Sequence, residues 1–235
     1  AQAGGASGLV HVATGTGKTL SVWMGALEAD RHLRASPEGA APAGSSHAKV
    51  PRAIKVLWLT PMRALAGDTL KSLREGAEMA GVPWDIQART GDTSSSLRAR
   101  LRREDGQPDA LVTTPESLSV MLSYADTGAR LKHLRLVVVD EWHELLGTKR
   151  GVQTELCLAR LRSLAPGLMT WGLSATLGNV DHALRVLVGE RGGGVLIRGH
   201  EDKAYEVETI LPREMERFPW AGHIGLRLLP EVLAR

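Results

Sequence analysis

From Leu134 to Val139 the chain is almost continuously apolar, and Asp140 and Glu141 follow at once. A strand with one wet face alternates, whereas a run like this is expected of a parallel strand buried on both faces. Comparable runs stand at Leu9–Ala13, Lys55–Leu59, Trp84–Ala88, Ala110–Thr113, Met169–Leu173 and Val195–Ile197. Helical patterns lie between them, for example Leu65–Ala80 and Leu156–Leu164. Strand–helix alternation predicts an α/β fold, a mostly parallel sheet with helices on both faces. Ligands of such sheets bind at the carboxyl ends of the strands. Each motif considered below follows such an end.

The remaining segments read as connections. Ala35 to Arg52, rich in Ala, Gly, Pro and Ser, is expected to be a surface loop or disordered insert. Gly192 to Gly194 is a turn, and Lys203 to Leu211 alternates like an exposed strand. After Pro212 the character changes. Phe218 to His223 reads as an irregular connector, and a last helix is expected from about Leu226.

The 235 residues suit one domain, or one domain and part of another. A net charge of +3 is too small to make the whole chain an electrostatic glue for nucleic acid. The single cysteine, Cys157, excludes an internal disulfide framework and is expected to fill the core. No apolar run is long enough to span a bilayer, and no signal peptide opens the chain, so the expectation is a cytoplasmic protein without a membrane partner.

His11-Val12-Ala13-Thr14-Gly15-Thr16-Gly17-Lys18-Thr19 follows one strand and opens a helix. Two glycines allow a tight turn whose N–H groups and helix N-terminus can cradle phosphate oxygens. Thr14, Gly15, Thr16 and Gly17 are the candidate cradle. Lys18 would reach the terminal phosphates of ATP, and the Thr19 hydroxyl would ligate Mg²⁺. The strict pattern has glycine where Val12 stands, so the loop is a variant. Across the sheet, Asp140 can hold Mg²⁺, partly through water, and Glu141 can orient and deprotonate an attacking water. An acidic turn closing a strand is the plainer alternative.

Asp140-Glu141-Trp142-His143 resembles motif II of the DEXH-box helicases of superfamily 2, and Ser174-Ala175-Thr176 resembles their motif III. The strings Glu144 to Gln153 and Arg217 to His223 are similar to the Lhr-type large helicases, most of all to their bacterial ligase-associated branch. The resemblance covers nearly the whole chain. It implies a RecA-like P-loop NTPase domain in which His143, Ser174 and Thr176 couple the nucleotide to nucleic-acid binding. It further implies bacterial DNA repair, with DNA-ligase-associated partners.

Thr60-Pro61-Met62-Arg63 and Thr114-Pro115 each end a strand and begin a helix. Threonine can cap such a helix, and proline tolerates its first position. The resemblance makes Thr60, Pro61, Arg63, Thr114 and Pro115 contacts to a single-stranded backbone, DNA favoured over RNA. It adds Thr90 and Gly91, at a third strand end. Glu116 would not favour a phosphate and reads as a helix-start residue. Arg98, Arg100, Arg102 and Arg103 read as a solvated face, and Trp220 as an anchor for the connector.

The family has two motor domains, and its arginine finger comes from the second. No match to that motif occurs, and no adenine-reading glutamine motif precedes the phosphate loop. The expectation is therefore a truncated first motor domain, residues 1–212, with 213–235 as connector and start of the second. Such a site would bind ATP better than it turns it over. Three alternatives stay open: an RNA or RNA:DNA helicase, a binding fragment without efficient turnover, and an ATP-driven protein translocase.

Overall fold

The structure, a computed structural model, describes residues 5–35, 53–189, 193–199, 208–210 and 228–234. The chain divides into two compact units, Ala1–His200 and Glu201–Arg235. In the second, a short helix covers Leu229–Leu233. Leu228 is its N-cap and Pro230 stands in its first turn, while Leu226, where the helix was expected to begin, lies outside the described residues. The expected loop from Ala35 to Arg52 lies outside the described residues from 36 onward. The strand at Lys203 to Leu211 falls outside them except at 208–210, which form no strand, and the connector at Phe218 to His223 falls outside altogether.

The first unit contains seven strands. They are β1 (Gly8–His11), β2 (Val56–Leu59), β3 (Ile86–Arg89), β4 (Ala110–Thr113), β5 (Leu136–Val139), β6 (Met169–Ser174) and β7 (Val195–Arg198). They form one sheet in the order β3-β4-β2-β5-β6-β1-β7. Every neighbouring pair is parallel. Each apolar run of the sequence supplies one strand, with small shifts at the ends. β3 opens at Ile86 because Trp84 is in a turn, its indole N–H given to Asp30 Oδ2 at 3.1 Å.

The helices are α1 (Lys18–Ala35), α2 (Arg63–Met79), α3 (Ser95–Arg102), α4 (Pro115–Leu122), α5 (Thr127–Leu131), α6 (Trp142–Leu145), α7 (Lys149–Leu164) and α8 (Val180–Val188). Successive strand residues serve opposite faces, as period-two geometry requires. Leu57, Leu59, Val137 and Val139 pack with Leu118 of α4, Trp142 of α6, Leu158 of α7 and Leu187 of α8. Val56, Trp58, Leu136 and Val138 pack with Trp23 of α1 and Leu73 of α2 on the other face. Two cores on two faces explain why the strands carry no alternation. Cys157 sits in the first core as a filler, and burial pushes its thiol up to about 11. Among the described residues, no helix is long and apolar enough to cross a membrane.

Of the cavities in the described part of the first unit, two lie at opposite ends of the sheet. The larger, about 490 Å³, opens beneath α1 at the amino ends of β2, β5 and β6 and touches none of the predicted site residues. The other, about 380 Å³, lies at the carboxyl ends of β3 and β4. The sheet rule favours the second as a place for function.

Candidate nucleotide site and strand groove

β1 delivers the chain to the phosphate loop, where Gly15 (φ 82°) and Gly17 (φ 83°) take the left-handed backbone the tight turn requires. A Cβ on either would meet nothing within 4 Å, so the loop borders open space. The Thr16 hydroxyl donates to Ala13 O at 2.8 Å and closes the turn. Thr14, Gly15, Thr16 and Gly17 are exposed, and Thr19 is half-buried. Lys18 opens α1 and is only 7% exposed. Its ammonium stands 3.9 Å from Glu141 Oε2. Neither atom has a hydrogen-bond partner among the described residues, although both are buried. Burying such groups unsatisfied is costly, so the pair marks a place built for polar atoms from outside the chain.

The acidic box closes the other side. Asp140 is nearly buried; Trp58 Nε1 donates to its Oδ2 at 3.1 Å and the Glu141 amide to its Oδ1 at 3.0 Å. Burial, with the neighbouring Glu141 charge, raises its carboxyl above the usual range, against the pull of the Trp58 bond and Lys18. Glu141 has φ 43° and ψ 51°, the only left-handed non-glycine among the described residues. This costs about 1–2 kcal/mol and coincides with the residue whose carboxylate faces Lys18.

His143 joins this box to the next strand. Its Nδ1 is 3.1 Å from Ser174 Oγ at the end of β6 and 3.5 Å from Glu141 Oε2. Lys18, Glu141, His143 and Ser174, from three adjacent strand ends, are thus contiguous. Thr176 is exposed, two residues past β6. His11 was missed as a site neighbour. Its Nδ1 is buried without a hydrogen-bond partner, and burial, then the Arg198, Lys18 and His143 charges, lower its pKa. Its only sequence signal was its place at the end of β1.

The predicted strand contacts lie on the other half of the sheet. Pro61, Arg63, Thr90, Gly91 and Thr114 all line the 380 Å³ groove. Thr114 caps α4 by accepting from the Ser117 amide at 3.4 Å, with Pro115 in the first turn, as the capping reading expected. The parallel expectation for Thr60-Pro61 fails. α2 starts at Arg63, its N-cap is Met62, and no side chain caps it. Thr60 is fully buried, and its hydroxyl donates to Met62 O at 3.2 Å. Its own N–H instead extends the β2–β4 ladder to Thr113 O.

Three arginines of the groove were not anticipated. Arg89, at the end of β3, is buried and donates to Ser117 O at 3.0 Å and to the Tyr124 hydroxyl at 3.2 Å. Arg98, read as a solvated face, turns to Gly91 O. Arg150 of α7 pairs with Glu116 at 2.7 Å and donates to Pro61 O at 3.2 Å, bridging two of the predicted loops. At Gly151 beside it a Cβ would lie 2.1 Å from Leu145 O, so any side chain there forces the backbone to shift. That contact presses the start of α7 against the end of α6, and so ties Arg150 to the acidic box.

A parallel sheet with a glycine phosphate loop on one strand end and an acidic box two strands away defines a RecA-like P-loop fold of the helicase type. The sequence profile of the DEAD/DEAH box helicases matches residues 2–183, and the chain belongs to that family. It is 33% identical over 196 residues to the ATP-dependent helicase Lhr-Core protein 2 of Thermococcus barophilus, covering 79% of this chain and 21% of that one. It is 34% identical over 194 residues to the Lhr helicase/uracil glycosylase of Escherichia coli, covering 78% of this chain and 12% of that one. The structure of Mycobacterium smegmatis helicase Lhr bound to ssDNA and AMP-PNP superposes with a TM-score of 0.66 at 31% identity. That match covers 86% of this chain and 25% of the larger one. The chain therefore spans a quarter or less of the length of each of these three relatives.

Proposed function

We propose that this chain is the first motor domain of an ATP-dependent helicase that moves along single-stranded DNA. The observation that carries the reading is the buried pair of unsatisfied atoms, Lys18 Nζ and Glu141 Oε2, facing each other across the sheet end. An ammonium without acceptors fits phosphate oxygens, and a carboxylate beside it fits a water to be deprotonated. Thr19 and Asp140 offer the oxygen donors Mg²⁺ takes. The ion, when bound, neutralises charge on the phosphates. Glu141 accepts the proton of the attacking water, and Lys18 holds the terminal phosphate. The His143–Ser174 contact carries the state of this site into β6.

The groove supports the strand part of the reading. Its charged lining consists of Arg63, Arg89, Arg98 and Arg150 against Glu116 alone. Contacts of this kind go to phosphate and carry little sequence information. DNA is favoured because the Mycobacterium relative carries ssDNA, while backbone contacts alone separate DNA from RNA poorly. A setting in bacterial DNA repair, in the cytoplasm and beside ligase-associated partners, rests on the ligase-branch resemblance. So does the extension of the motor domain to residue 212.

The test is ATP turnover with and without oligo-dT, on this chain and on a longer one carrying a second motor domain. The reading predicts nucleotide binding by this chain and strand-stimulated turnover only by the longer one. Full stimulated turnover by the short chain would refute the need for an arginine from elsewhere. Absence of stimulation by any nucleic acid in the longer chain would favour a protein translocase.

A further inference from the structure

The groove's arginines fall into two kinds. Arg89 and Arg98 are committed to the fold, since they donate to the carbonyls of Ser117 and Gly91. Arg63 and Arg150 hold carboxylates, and Arg150 spends a second N–H on Pro61 O. Arg63 Nη1 meets Asp92 Oδ1 at 2.7 Å, and Arg150 Nε meets Glu116 Oε1 at 2.7 Å. All four side chains are about half exposed or more, so solvent and solutes reach both pairs.

The position of Glu116 is telling. It occupies the first turn of α4, behind the Thr114 cap, where a helix N-terminus attracts an anion. Burial opposes its charge, but its own amide, the Thr114 hydroxyl and Arg150 outweigh that and hold the carboxyl below its usual range. The N-terminus that the sequence offered to a phosphate is thus already occupied by an anion of the chain. Asp92 does the same for Arg63 at the Thr90–Thr93 turn.

We propose that Asp92 and Glu116 occupy the anion positions that two backbone phosphates of a bound single strand take, so that strand entry is an exchange of anions on Arg63 and Arg150. This rests on the strand-groove reading and adds a mechanism of entry and release to it. A carboxylate and a phosphodiester both offer charged oxygens to a guanidinium. The displaced carboxylates remain beside the strand, where they repel it and compete for the arginines. The grip is therefore weaker than the arginines alone would make it, which suits a motor that must let go at every step.

The experiment is fluorescence-anisotropy titration of labelled oligo-dT with the full chain and its variants. Asp92→Asn and Glu116→Gln remove charge while keeping shape. Each is expected to tighten binding by about two- to fivefold, the range for exposed ion pairs. Most of the gain from Asp92→Asn should be lost in an Arg63→Ala background, and most of that from Glu116→Gln in Arg150→Ala. A misfolded chain cannot produce tightening, so the result is not open to that explanation. If the arginine variants weaken binding but the carboxylate variants do not tighten it, the exchange is refuted and the groove stands. If the arginine variants leave affinity unchanged, the groove reading itself is wrong and the exchange falls with it.

Discussion

Trp58→Phe tests whether the indole supports the Asp140 carboxylate or merely fills the core. Trp58 is fully buried, and its N–H is one of two hydrogen-bond donors to the nearly buried Asp140 carboxylate. A hydrogen bond to a charged group contributes about 1.5–3 kcal/mol net, and one to a neutral group about 0.5–1.5. About 1 kcal/mol of this bond therefore depends on Asp140 being ionised. Loss of indole volume adds about 1–2 kcal/mol that does not depend on pH. Asp140's folded pKa is raised above 3.8, so its ionisation opposes the fold. Stability is fully present at low pH and is lost as pH rises through the folded pKa. Removing the Trp58 donor raises that pKa further and deepens the loss on the alkaline side. Unfolding of both proteins without Mg²⁺ or nucleotide, from about pH 8 down to about pH 4, is the assay. The variant should be weaker by about 2.5–5 kcal/mol at the upper end, and the gap should narrow by about 1 kcal/mol on acidification. In a domain of this size that is about 2–4 °C of Tm. A gap that stays constant with pH would reduce Trp58 to packing.

Three further outcomes are expected. Glu141→Gln should keep ATP binding and strand binding but lower turnover in the longer chain by about 10²–10⁴, read as phosphate release; preserved turnover would remove Glu141 as the base. Glu141→Gly should be about 1 kcal/mol more stable than Glu141→Ala in urea titration, because only glycine takes φ 43° without strain. The reverse order would mean the backbone relaxes once the carboxylate is gone. Gly151→Ala drives a Cβ to 2.1 Å from Leu145 O, so it should cost about 1–3 kcal/mol in thermal unfolding and shift Arg150 enough to weaken oligo-dT binding.

The strands and the two ends of the nucleotide site were legible because each is local. A buried parallel strand writes itself as an apolar run, and a phosphate loop writes itself in consecutive residues. What joins distant segments left no such mark. Trp58 and Asp140 are 82 positions apart, and no pattern in either stretch names the other. Glu116 read as a helix start, and Arg150 stood out only as part of the Glu144 to Gln153 string. Thr60 misled for a physical reason. A threonine closing a strand reads the same whether its hydroxyl caps the next helix or is spent on the carbonyl of Met62. The arginines from Arg98 to Arg103 looked alike, yet Arg98 turns to Gly91, Arg102 lies over Tyr124 at 4.6 Å and Arg103 pairs with Asp105.

The strand order also dictates when the parts become available as the chain is made. β2, β3 and β4 find all their strand partners within the span from Val56 to Val139, and β5 at the edge of that block also pairs with β6. β1 lies outside that block, and its partners are β6 and β7. Ser7, just before β1, bonds to Thr170, 163 positions later. A chain emerging from its amino end can therefore pair β2 to β5 while the phosphate loop still hangs from an unpaired β1, although Arg150 of the groove arrives only with α7. Closing so long a loop is slow, and an unpaired apolar strand invites the wrong neighbour. The phosphate loop thus gains strand neighbours for β1 only once β6 has been made, later than the block from β2 to β5.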